Sequence, residues 1–167
     1  MGLSQGLIAE IEREGASTER ILQRVPSGQF DWRPHPKSMS LGELAWHIAR
    51  LPALGVIGLR DGKRDIGGAR PGPPKEGDVV AEFRRHLADL TSLLASMPDE
   101  TLLHEKFSFV RGDELVASMP KLGFLRTVFM NHSIHHRGQL IVYLRLIDVP
   151  VPAMYGRSAD EDGFGRL

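Results

Sequence analysis

The chain has 167 residues, of which 41% are hydrophobic and 25% are charged, and its 21 basic and 21 acidic side chains leave a formal net charge of zero. This length suits one domain with a full core, and the charge balance argues against a nucleic-acid or membrane-surface partner, since either favours a basic excess. Because there is no cysteine, disulfides, thiolate metal sites and a cysteine nucleophile are excluded. The start of the chain is acidic rather than apolar, and no apolar run approaches about 18 residues, so we expect a cytoplasmic protein without a signal peptide or membrane span.

The first half of the chain predicts two helices. Apolar residues at helical spacing indicate a first helix over 4–25. The segment Ser40-Leu41-Gly42-Glu43 has the pattern of a capping box, and it predicts a second helix over 40–59 that bends near Pro52. Residues 60–77 are rich in glycine, proline and charge, so we expect a long crossover loop there.

A third helix is predicted over 79–97, where apolar residues from Val80 to Leu94 recur at spacings of 3, 4, 3 and 4. Residues 103–118 favour a short hairpin or an irregular loop, because phenylalanines alternate with polar residues ahead of Arg111-Gly112-Asp113.

Pro120 suits the first turn of a fourth helix, predicted over 121–147. Four helices and one long connection together predict an all-α fold, a four-helix bundle with a crossover, in a single domain over 1–167.

Three histidines crowd the fourth predicted helix: His132, His135 and His136. At about 100° per residue, His132 and His136 share one stripe with apolar residues, whereas His135 lies at its edge. That stripe comprises Leu125, Phe129, Leu140, Tyr143 and Ile147. Burying two imidazoles is costly without a partner, and a metal ion bound by His132 and His136 would supply one. A hydrogen-bonded pair of core histidines explains the spacing equally well.

His47 is the candidate third ligand. It lies on the apolar face of the second predicted helix, with Leu44, Leu51 and Leu54. A lone histidine there is more often a satisfied core residue, but two helices that direct imidazole into one core favour a metal site. Three neutral nitrogens leave a coordination position open, as in catalytic sites; zinc fits, and nickel, iron and copper also bind imidazole. Gln139 is either a hydrogen-bond partner of a ligand or a polar residue at the bundle edge.

Other polar residues carry weaker signals. The remaining candidate histidines are expected at the surface: His35, His86 and His104. Four arginines could bind an anionic substrate, although solvated helix faces explain them more simply: Arg84, Arg85, Arg137 and Arg145.

Three stretches resemble the DinB-like family of metal-binding four-helix bundles. They are residues 30–34 leading into 40–48, the segment NHSIHHRGQL over 131–140, and the tail segments 143–146, 150–152 and 155–161. The resemblance spans nearly the whole chain. It implies that His47, His132 and His136 bind a divalent metal ion, and it does not distinguish zinc, nickel, iron or manganese.

The resemblance also implies a function. Studied relatives include transferases and isomerases that use a small cytosolic thiol such as bacillithiol or mycothiol, and many members have no assigned reaction. We therefore expect a metal-dependent thiol S-transferase of detoxification or stress response that acts on a small molecule with a low-molecular-weight thiol as cosubstrate. A homodimer is expected, with candidate faces on helices one and three. A metal hydrolase and a non-catalytic, dimeric metal-binding bundle are the alternatives; no acidic residue beside the ligands in sequence supplies a hydrolytic base.

Overall fold

The computed structural model describes residues 2–68, 72 and 77–162. The elements follow in this order: α1 (Leu3–Leu22), α2 (Leu41–Arg60), β1 (Lys63–Asp65), α3 (Val79–Ala95), α4 (Asp99–His104), β2 (Lys106–Arg111), β3 (Glu114–Pro120), α5 (Lys121–Phe124), a π-helical segment (Leu125–Asn131) and α6 (His132–Leu146). The described chain is therefore mostly helical and carries a small three-stranded sheet.

The sheet corrects the all-α prediction. Strand β1 pairs in parallel with β2, Lys63 opposite Ser108, and β2 and β3 form an antiparallel hairpin that turns at Gly112. The predicted hairpin before the last helix is confirmed, whereas the predicted crossover loop contains β1. A strand of three residues is too short to show an alternating apolar pattern, and its partner is distant in sequence, so the sequence did not predict it. Residues 69–71 and 73–76 of that loop lie outside the described residues.

The long helices lie close to their predicted bounds. At the start of α2, the Glu43 backbone N–H donates to Ser40 Oγ over 3.2 Å, and the Ser40 N–H donates to Glu43 Oε2 over 2.6 Å. The capping box is thus confirmed. Helix α2 continues through Pro52, whose side chain is buried. Among the described residues, none of the helices combines the length and apolar character that a bilayer crossing needs.

Helices α5 and α6 and the π-helical segment between them run on without a break, antiparallel to α2. Gly58, late in α2, meets Phe124, whereas His47, early in α2, meets His132. A Cβ added at Gly58 would lie only 1.9 Å from Phe124 Cε1, so glycine alone permits this approach. The approach holds α2 against the helix that carries the other two candidate ligands.

The core consists of two apolar clusters that meet near these histidines. One contains Ala49 of α2 and Leu140 of α6, and the other contains Leu51 of α2 and Met130 of the π-helical segment. All four side chains are almost fully buried. Because both helices pass from one cluster to the other close to the histidines, packed apolar layers on either side hold the site.

Candidate metal centre

The structure brings together the three histidines that the sequence singled out. His47 Nε2 lies 3.3 Å from His132 Nε2, and His136 Nε2 lies 2.7 Å from His132 Nε2. The ligand atoms of all three residues lie within 4.8 Å of one another, so together they could hold a metal ion. Two packed helices supply the cluster, His47 from α2 and the pair His132 and His136 from the first turns of α6.

Hydrogen bonds orient two of the rings. His132 Nδ1 lies 3.3 Å from the carbonyl oxygen of Val128, and His136 Nδ1 lies 2.7 Å from Gln139 Oε1. Because both oxygens accept, each Nδ1 carries a proton, and each Nε2 directs a lone pair at the cluster. Of the two interpretations of Gln139, the hydrogen-bond partner is therefore confirmed.

The donor set fits a divalent metal ion. Two Nε2 lone pairs 2.7 Å apart repel each other, and this distance is shorter than the spacing of two ligand nitrogens on one ion, so the rings of His132 and His136 would move apart to bind it. A tetrahedral zinc ion with Zn–N bonds of about 2.0–2.1 Å would separate its ligand nitrogens by about 3.3 Å. The 3.3 Å between the Nε2 atoms of His47 and His132 matches that spacing. Nitrogen-only donors also suit nickel, iron and copper, so the ligands do not select one ion.

The surroundings keep His136 neutral. Its side chain is buried, at 8% exposure, and this burial is the main cause that lowers the pKa of His136 below 6.5; the nearby imidazoles of His132 and His135 act in the same direction. The hydrogen bond that His136 donates to Gln139 opposes the shift. A neutral imidazole is the form that binds metals, so His136 is prepared for this role at neutral pH.

The site opens to the solvent on one side. His47 and His132 are half-buried, and His135 is exposed, with its ring centroid 5.0 Å from that of His136. The predicted difference between His135 and the inward pair is therefore seen in their burial. A separate groove of about 450 Å³ between α6 and the tail is lined by none of these histidines.

The remaining polar candidates have structural partners. His35 and His104 are exposed as expected, and His86 is half-buried beside Glu82. Three of the arginines form surface ion pairs: Arg84 with Glu19, Arg85 with Glu82 and Asp89, and Arg145 with Asp160.

The prediction of a solvated face is wrong for Arg137. This arginine is 2% exposed, and it donates to the Glu14 carboxylate over 2.5 Å and to Thr18 Oγ1 over 3.0 Å. It also contacts the Tyr155 hydroxyl, which itself donates to Glu14. Burial raises the pKa of Tyr155 to about 12. Because Arg137 follows His136, this network fixes the rotation of α6 against α1 and the tail.

Two features of the site had no signal in the sequence. The π-helical segment ends at Asn131, directly before His132, and the carbonyl of Val128 within it orients the His132 ring. π-Helical turns occur often at functional sites, where they change the rotation of the following helix. Neither a backbone acceptor nor a change of helix type can be read from the residue pattern at this position.

The helices and the histidine cluster define a helical protein with a candidate histidine metal centre. The DinB family model matches residues 2–162, so the chain belongs to the DinB family. The chain is 26% identical over 153 residues to YrdA of Bacillus subtilis strain 168, an uncharacterized protein, covering 90% of this chain and 86% of that one.

Two crystal structures have a similar fold. A DinB-like protein from Bacillus cereus ATCC 10987 matches with a TM-score of 0.71 and 26% identity, over 90% of this chain and 97% of that one. The DinB-like protein YjoA from Bacillus subtilis matches with a TM-score of 0.70 and 18% identity, over 92% and 99% of the two chains. These likenesses support the family membership and describe no reaction.

Proposed function

We propose that this protein is a divalent-metal-dependent enzyme that transfers a low-molecular-weight thiol to a small electrophilic molecule, as in detoxification or stress response. The observation that carries the proposal is the cluster of His47, His132 and His136 at a half-exposed edge between two helices. Three protein ligands leave a coordination position open for an exogenous ligand, as in catalytic sites. The thiol cosubstrate is inferred from the resemblance to the family.

The residues of the site have defined roles in this proposal. The three imidazoles hold the ion, while the Val128 carbonyl and Gln139 accept from the Nδ1 atoms of His132 and His136 so that the Nε2 atoms of these two rings face inward. A divalent ion bound there would lower the pKa of a thiol and stabilise the thiolate, which is the reactive nucleophile.

In the overall reaction the thiol proton passes to solvent. The sulfur forms a bond to an electrophilic carbon, and the leaving group departs with its bonding electron pair, so nothing is oxidised or reduced. The chain has no cysteine, so the sulfur has to come from the cosubstrate.

A metal hydrolase is the second candidate, because the same ion could activate water. Such an enzyme commonly needs a carboxylate as a general base. No aspartate or glutamate of the described residues belongs to the histidine cluster. A cluster of histidines without a carboxylate favours the thiol reaction over hydrolysis.

Association as a cytoplasmic homodimer is part of the proposal. The large apolar side chains that are most exposed in the described chain include Val142 and Leu146 on α6 and Leu115 on β3. They lie on neither of the helices expected to pair, so α6 offers a further candidate face. A monomeric mass by light scattering at micromolar concentration would contradict the dimer.

The test is an activity screen of protein reconstituted separately with zinc, nickel, iron and manganese. Each form receives a panel of thiols, including bacillithiol and mycothiol, with a chromogenic aryl halide, and in parallel a chromogenic ester and an anilide without thiol. We expect metal-dependent thiol consumption that is lost in His47→Ala. Ester or anilide turnover without thiol would favour the hydrolase, and no turnover of either kind would favour a binding protein.

A further inference from the structure

Arg50 follows His47 by three residues and lies on the same line of α2. Five of the half-buried residues of α2 recur at spacings of 4, 3, 4 and 3, which trace one line along a helix: Glu43, His47, Arg50, Leu54 and Ile57. Side chains three residues apart on a helix have Cβ atoms roughly 5–6 Å apart. Arg50 is therefore the neighbour of His47 on the half-exposed edge where the site opens.

The guanidinium group of Arg50 is held in place by Trp46. Its Cζ lies 5.7 Å from the centroid of the Trp46 ring, within the range of a cation–π interaction. Trp46 is 4% exposed and packs in the core, and the backbone at Gly77 lies against its ring. Because the ring is packed in the core, the guanidinium that lies over it loses less conformational freedom when it binds an anion than a free surface arginine would.

The charge of Arg50 is not balanced within the described chain. Three other buried or half-buried cations each form an ion pair with a carboxylate: Arg20 with Glu161, Lys121 with Glu105 and Arg137 with Glu14. No carboxylate of residues 2–68, 72 or 77–162 forms an ion pair with Arg50. A partly desolvated cation that no described carboxylate neutralises favours the binding of an anion, and the planar guanidinium matches the two oxygens of a carboxylate.

We propose that Arg50 binds a carboxylate group of the molecule whose other end occupies the metal centre. The inference rests on the proposed function in one respect, since it assumes that the open coordination position receives an exogenous ligand. It adds the chemical class of that ligand: a metal-binding group, such as a thiol, joined to a carboxylate by a short chain. Arg50 is then the residue that discriminates between acidic and neutral thiols.

The test uses the cobalt(II)-loaded protein, in which a bound thiolate gives a sulfur-to-cobalt absorption band in the near ultraviolet. It is titrated with mercaptocarboxylates from 3-mercaptopropionate to 6-mercaptohexanoate and with the mercaptoalcohol of the same length. Because a half-exposed charged hydrogen bond makes a modest net contribution, we expect the best acid to bind about tenfold more tightly than its alcohol. Arg50→Gln should abolish this preference while leaving the affinity for the alcohol unchanged, which also shows that the variant is folded.

Two controls separate this inference from the proposed function. Arg13→Gln, at an exposed position of α1, should keep the full preference, and Arg50→Lys should keep part of it. In a second arm without sulfur, calorimetry compares glutarate with butyrate. If the thiols do not bind but glutarate shows an advantage that depends on Arg50, the thiol chemistry is wrong and the role of Arg50 stands. If the thiols bind and Arg50→Gln keeps the preference for the acid, the inference is overturned and the thiol chemistry stands.

Discussion

Replacing each histidine of the cluster in turn tests the metal centre directly. We expect His47→Ala, His132→Ala and His136→Ala each to lose most of the bound metal, since few sites with two protein ligands hold a divalent ion. His135→Ala should retain about one ion per chain, because its side chain is exposed and lies outside the cluster. The measurement is elemental analysis after dialysis, alongside thermal melts with and without added metal.

The expected size of the thermal effect follows from binding linkage. An ion that binds only the native state stabilises it by about 2.7 kcal/mol at a free concentration 100 times its Kd. For a chain of this length, each kcal/mol shifts Tm by about 2–4 °C, so added metal should raise the wild-type Tm by about 5–11 °C. The comparison uses the metal-induced shift of each variant, because truncating a buried ring such as that of His136 lowers Tm by itself.

The result that would refute this reasoning is specific. If His135→Ala loses the metal and its Tm shift while His136→Ala keeps both, the assignment of the inward pair is wrong. If all four variants bind metal as the wild type does, the cluster is not a metal centre and its histidines are hydrogen-bonded core residues.

Three further predictions concern individual contacts. Gln139→Ala should weaken metal binding about 10- to 100-fold, because a ligand ring loses its acceptor; competition with a chromophoric chelator measures this, and an unchanged Kd would contradict it. Gly58→Ala should destabilise the fold by about 1–3 kcal/mol, because the added methyl group would overlap with the ring of Phe124. Gly6→Ala, with no neighbour within 4 Å, should be neutral or stabilise its helix by up to about 1 kcal/mol. Urea midpoints in the reverse order would refute the packing argument. The hydrogen bond from Arg145 is the main cause that lowers the pKa of Asp160 below 3.8. Its carboxylate therefore stabilises the fold above that pH and loses the effect as pH falls through the lower folded-state pKa, so the stability difference between wild type and Asp160→Asn should shrink as pH falls below 3.8. An equal difference at pH 7 and pH 2 would count against the ion pair.

The helical part of the site was predictable because it depends on local periodicity. His132 and His136 are four residues apart in α6, a regular helix, so the wheel placed both on the inner face and His135 at its edge. The capping box at Ser40 likewise needs only residues close in sequence. It marked the start of the helix that carries His47.

Contacts between distant segments could not be predicted in the same way. At the start of α1, the backbone N–H groups of Leu3 and Ser4 donate hydrogen bonds to the carboxylate of Asp99, which lies in α4. The burial of Arg137 depends on Glu14 in α1 and on Tyr155 in the tail. A sequence pattern shows which face of its own helix a residue occupies, but not which charged group will lie opposite it.

The sequence by itself determined the long helices, the direction of the histidine pair and the family of the protein, because helical periodicity and short motifs are local properties. Only the tertiary structure decided that His47 Nε2 lies 3.3 Å from His132 Nε2, that a π-helical segment precedes the pair, and that β1 joins the hairpin. Each of these depends on how closely two distant segments approach. The spacing between α2 and the last helix is set by packing, above all where Gly58 admits the ring of Phe124.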